Sequence, residues 1–147
     1  MCRNTGSRRQ GRRHVRVTYG MQRTRDMSET ITATIDRYLQ LVGKGSADDI
    51  VELFADDATV EDPVGSEPYV GLDAIRGFFS TLESLERETE LVSLRVCGRE
   101  AAFQFVITFK AGDSRMRLSP IDTMAFDSDG KITSVRSYFS PSDVTPV

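Results

Sequence analysis

Apolar residues recur with two different periods along this chain, and the change falls just after Leu82. Before it, Ile31, Ile35, Tyr38, Leu39 and Val42 are spaced i, i+4, i+7, i+8, i+11, the stripe of an amphipathic helix ending before Gly43 and Gly45. Ser46 followed by Asp49 resembles a capping box, and Ile50, Val51, Leu53 and Phe54 predict a short second helix. A strand over Ala58 to Asp62 comes next, then a third helix over Leu72 to Leu82 with Ile75, Phe78, Phe79 and Leu82 on one side. Beyond Leu82 the period is two. Glu90 to Cys97, Ala101 to Lys110, Ser114 to Phe126 and Ile132 to Phe139 read as four long strands. Gly98-Arg99, Ala111-Gly112-Asp113 and Asp129-Gly130 supply the hairpin turns between them. Three helices first and a meander afterwards predict an α+β domain, its helices on one face of a strongly curved, mainly antiparallel sheet. Such a sheet leaves a conical cavity suited to a small apolar ligand.

Charge divides the chain in two. Residues 1–26 hold eight arginines against one aspartate, a charge of +7. The remainder holds 11 Lys and Arg against 21 Asp and Glu, a charge of −10. An acidic domain of residues 27–147 argues against nucleic acid as partner. The basic leader, residues 1–26, has no apolar segment of the kind a secretory signal needs. It is expected to be disordered and dispensable, an artefact of an upstream start, with Met27 opening the domain proper. No apolar run approaches the roughly 18 residues of a membrane span. With two cysteines, Cys2 in the leader and Cys97 in a predicted strand, no disulfide framework is indicated, and a cytoplasmic location is expected.

The only histidine, His14, also lies in the leader, so the domain offers neither Ser-His nor Cys-His catalysis and no His/Cys metal site. There is no phosphate-binding glycine loop or dinucleotide fingerprint, and no cofactor is expected. Chemistry falls to carboxylates, tyrosines and arginines. In the run F-A-D-D-A-T-V-E-D-P-V-G-S-E-P, Phe54 to Pro68, Pro63 holds Asp62 extended and ends the strand, placing a carboxylate at a rim where a general base would sit. A plain turn aspartate before proline would look the same. Asp122, in P-I-D-T-M-A-F, shares a strand face with Met124 and Phe126. Burial there would raise its pKa, unless an arginine such as Arg117 or Arg136 pairs with it. Tyr38 lies on the apolar face of the first helix and could be either a core or a cavity tyrosine.

The Phe54–Pro68 run, with R-Y at Arg37-Tyr38, A-A-F, P-I-D at Asp122 and G-K, closely resembles the bacterial ketosteroid isomerases (steroid Δ5-3-ketoisomerases) from about Ile31 to Phe139. That resemblance implies the cone-shaped fold of nuclear transport factor 2 and a homodimer formed through the sheet. It also implies a steroid Δ-isomerase that converts 3-oxo-Δ5-steroids to 3-oxo-Δ4-steroids. Asp62 would be the base, with Tyr38 and a protonated Asp122 as oxyanion donors. Phe54, Phe79, Phe105, Met124 and Phe139 would be the apolar substrate-binding residues. Some members support the tyrosine with further tyrosines; here the matching positions are Phe79 and Phe54. Two alternatives remain open: a polyketide-cyclase-like or epoxide-hydrolase-like enzyme of the same fold, and a non-catalytic steroid or lipid binder. The cyclases compared use histidine, which this domain lacks, and a binder has no need of two differently placed carboxylates.

Overall fold

The computed structural model describes the backbone from Arg13 to Val147 and side chains from Asp26 onward; residues 1–12 of the basic leader, and the side chains of residues 13–25, lie outside what it describes. Helix α1 spans Arg13–Lys44, α2 Ala47–Val51 and α3 Leu72–Ser80. The strands are β1 (Phe54–Glu61), β2 (Tyr69–Val70), β3 (Arg87–Cys97), β4 (Glu100–Ala111), β5 (Ser114–Leu118), β6 (Ile121–Phe126), β7 (Ile132–Tyr138) and β8 (Thr145–Pro146). They form one sheet in the order β2-β1-β7-β6-β4-β5-β8, with β3 on the free side of β4. The architecture is α+β, as the two periods predict.

The sheet is mainly antiparallel, as expected, and its one parallel pairing among the described residues is that of β1 with β7, which the sequence pattern did not indicate. Another difference lies in the expected long strand Ser114 to Phe126, which is two. Pro120 cannot donate to a ladder, so the chain breaks at Ser119-Pro120. β4 is long enough to bridge the break: its first half pairs with β6 and its second half with β5. The second helix stops at Val51, and Phe54 opens β1 instead of closing that helix. Ser46 does cap it, accepting from Asp49 N at 3.2 Å.

α1 continues through Gly43 rather than ending before it. There the helix comes so close to β3 that a Cβ on Gly43 would lie 2.8 Å from Thr89 Oγ1. Arg87 closes the same corner. Its guanidinium donates to Val42 O (2.6 Å), Gly45 O (2.8 Å) and Leu82 O (2.7 Å), satisfying carbonyls at the end of α1 and just after α3. The predicted stripe of α1 is the core face: Ile31, Ile35, Tyr38, Leu39 and Val42 are all buried against Ile50, Ile75, Phe103, Phe126 and Val135. Each fully buried aliphatic of this kind contributes about 1.5–3 kcal/mol.

Candidate active site

Helices α1 and α3 and the inner faces of β4, β6 and β7 enclose a cavity of about 240 Å³, lined mainly by apolar side chains. Three polar groups of the lining were singled out from sequence: Tyr38, Asp62 and Asp122. They arrive from three separate parts of the chain. Tyr38 projects from the buried face of α1 and is 4% exposed. Asp62 directly follows the last residue of β1 and is half-buried; the strand expected to end at Asp62 ends one residue earlier, at Glu61. The Asp62–Pro63 bond is cis. Asp122 is the second residue of β6, 2% exposed and directly opposite Ser137 of β7.

The electrostatics follow from burial. Asp62 loses hydration at the cavity rim, and its pKa rises to about 6. Asp122 lies deeper. Burial, and secondarily the nearby Asp62 carboxylate, raise it to about 7, against an opposing hydrogen bond from Ser137. Its Oδ1 is buried and has no hydrogen-bond partner among the described residues. Among the described residues no arginine pairs with it: Arg136 is bound to Glu61 instead, and Arg117 is exposed. Burial, then the charges of Asp122 and Asp62, push the Tyr38 hydroxyl well above its ordinary value. The three groups therefore feel one another, and two acids of the same type titrate near neutrality. At pH 7 this permits an ionised Asp62, a protonated fraction of Asp122 and a protonated Tyr38, which are one acceptor and two donors around one apolar space.

Of the predicted apolar contacts, Phe79, Phe105 and Phe139 line the cavity. Phe54 and Met124 do not. Phe54 is at the opposite end of β1 from Asp62 and packs behind the site, its ring 6.4 Å from that of Tyr38. Met124 shares the face of Asp122 but lies two residues further into the closed end of the cone, opposite Val135. Ser137, Ile107 and Leu82 also line the cavity and were not assigned to it from sequence. Period two was the available signal: Ile107 and Phe109 continue the inner face of Phe105, and Ser137 that of Phe139. Among the described residues no group of histidine, cysteine and carboxylate side chains is arranged to hold a metal ion.

This geometry, a curved sheet closing over helices around an apolar cavity with two high-pKa acids and a tyrosine, defines the NTF2-like class of small-ligand proteins and enzymes. A family profile for the SnoaL-like domain matches residues 35–135. A steroid Delta-isomerase of Nocardioides simplex is 44% identical over 122 residues, covering 82% of this chain and 99% of that protein. Among solved structures, SalBIII, an epoxide hydrolase/cyclase-like enzyme of pyran ring formation in the polyether salinomycin, superposes with a TM-score of 0.76 at 25% identity. The match covers 82% of this chain and 98% of SalBIII. RV0760c of Mycobacterium tuberculosis gives 0.74 at 20% identity over 80% and 96% of the two chains, a likeness of fold. The chain belongs to the SnoaL-like, NTF2-like family, in its ketosteroid isomerase branch, and is an isomerase.

Proposed function

We propose that this protein is a steroid Δ-isomerase that moves the double bond of a 3-oxo-Δ5-steroid into conjugation as the Δ4 isomer. The observation that carries the reading is the convergence of Asp62, Asp122 and Tyr38 on one apolar cavity. The reaction removes a proton from the carbon between alkene and carbonyl and returns it to the far alkene carbon. Asp62, ionised above about 6, is the base that takes the proton and gives it back. The electron pair of the broken C–H bond forms a double bond to the carbonyl carbon and the carbonyl π pair moves onto oxygen, giving a dienolate conjugated with the alkene, which shifts when the far carbon is reprotonated. Tyr38 O–H and the protonated Asp122 donate to that oxygen where its charge develops. Two carboxyl groups tuned apart, one base and one neutral donor, are the recognised pattern of ketosteroid isomerases and are carried over here. Apolar walls at Phe79, Phe105 and Phe139 would hold the flat ring system and exclude water, so that the proton is returned instead of lost.

The active form on this reading is a homodimer built on the outer face of the sheet, where Ile121 (50% exposed) and Tyr138 (43% exposed) face each other across β6 and β7. The decisive assay is ultraviolet absorbance on adding a 3-oxo-Δ5-steroid to the protein. Growth of the conjugated enone band, abolished by Asp62→Asn, supports the reading. Saturable steroid binding with no absorbance change would make the protein a binder and refute it.

A further inference from the structure

Asp62 lies one residue beyond β1, so its position depends on what holds the loop around it. Glu61, the last residue of β1, stands opposite Arg136 in the parallel register with β7. Both oxygens of its carboxylate are engaged. Oε1 accepts from Gly65 N at 2.8 Å, reaching forward over Asp62, and Oε2 accepts from Arg136 Nε at 3.0 Å. Arg136 is itself held, donating from Nη1 to the Tyr138 hydroxyl at 3.0 Å with its guanidinium carbon 5.5 Å from that ring's centroid. Between these anchors Val64 N donates to Ser137 O at 2.8 Å. Gly65 adopts φ +98°, a conformation open to glycine, which lets its N–H turn back towards Glu61.

We propose that Glu61 is a positioning residue for the base: clamped by Arg136, its carboxylate closes the loop 61–65 and fixes where Asp62 points. This rests on the reading of Asp62 as the base. Glu61 and Arg136 form a partly exposed ion pair, a kind that adds little to global stability, so the clamp's effect is local. Nor does Glu61 act by charge. The raised pKa of Asp62 comes from burial, and Arg136 neutralises the adjacent carboxylate. The bonds from Gly65 and then Arg136 hold Glu61 below the usual carboxylate range, so the clamp stays ionised throughout the titration of Asp62. What it supplies is geometry, and a misplacement of about 1 Å at a reacting group can cost 10²-fold in rate.

The test is steady-state isomerisation by the full chain carrying Glu61→Gln, Glu61→Ala, Arg136→Met, or Glu61→Ala with Arg136→Met. Glutamine keeps an acceptor for Gly65 and loses the bond from Arg136; alanine loses both. The expected result is a graded fall in kcat, a few-fold for glutamine and roughly 10–100-fold for alanine, with KM changed less than about twofold. The acid limb of the pH profile should stay near 6, set by Asp62 among Tyr38 and Asp122. Arg136→Met should resemble the glutamine variant, and the double variant should be no slower than Glu61→Ala alone, because both remove one device. An unchanged kcat in Glu61→Ala, a loss that tracks the unfolded fraction in melts, or a displaced acid limb at constant plateau overturns the proposal. Asp62→Asn is measured alongside. If it keeps full turnover, the base reading falls and takes the clamp with it. If it is inactive while Glu61→Ala matches the wild type, the clamp falls alone.

Discussion

Phe79 meets the ring of Tyr38 edge-on, centroids 6.0 Å apart and planes at 82°. With Phe54 approaching edge-on from another side, the phenol is gripped by carbon. Neither neighbour carries a hydroxyl, so neither can lower the Tyr38 pKa, and burial keeps it well above its ordinary value. Tyr38 acts on this reading as a neutral donor aimed by packing. Tyr38→Phe keeps the packing and removes the donor. It should lower kcat by about 10²–10³-fold, the usual cost of one oxyanion donor, with a melting temperature close to wild type. Stopped or initial-rate kinetics beside a thermal melt check both halves.

Asp62→Asn preserves size and, on the proposed mechanism, removes the base. Turnover should fall roughly 10²–10⁴-fold while equilibrium binding of a Δ4-3-ketosteroid persists, since a base contributes in the transition state and not to ground-state affinity. Fluorescence titration measures the second quantity independently of the first.

On the proposed mechanism the two carboxyl groups set a narrow window of activity. The base must be ionised, so rate rises through about 6; the Asp122 donor must be protonated, so rate falls through about 7. A bell-shaped kcat/KM profile is expected. Asparagine at position 122 still donates and cannot ionise, so Asp122→Asn should keep its activity on the alkaline side. Asp122→Ala should be clearly slower at every pH.

The same residue predicts a stability effect of definite sign. The Asp122 pKa is raised on folding from 3.8 to about 7, so between these values the native state binds more protons than the unfolded chain. Stability contributed by the neutral acid is therefore full below about pH 4 and declines as pH rises towards 7. Asp122→Asn removes that decline. Urea melts should find the variant more stable than wild type above pH 7, by up to the order of 4 kcal/mol, with the advantage gone near pH 4. A pairing of Asp122 with arginine would give the opposite sign above pH 7.

A chain beginning at Met27 should fold and isomerise like the full one. Among the described residues the core starts at Ile31, with Met27 packed on its edge. Loss of solubility, stability or rate on removing residues 1–26 would mark that segment as a working part.

Much of this was legible in the chain because burial leaves periodic traces. Tyr38 could be placed on a buried helix face by its neighbours Ile31, Ile35 and Val42, and Asp122 on an inner strand face by Met124 and Phe126. What spacing along one strand does not reveal is depth along the cone. Met124 has the right face and the wrong depth, and Ser137 has the right depth with nothing in its type to announce it. The parallel return of β1 to β7 was also hidden, since pairing across some 75 residues leaves no local mark.

That return governs when the site can exist. A nascent or refolding chain can form the β3–β4 hairpin from nearby residues, but the β1–β7 pairing and the bond from Val64 to Ser137 join segments far apart in sequence. Contacts of such separation carry the largest loop-closure cost and arrive late. The wall that β7 supplies and the docking of Asp62 beside it thus arrive together. An unfinished molecule is a hydrophobic cup still open along one side, and on the proposed reading competence appears only when the final long strand is laid down.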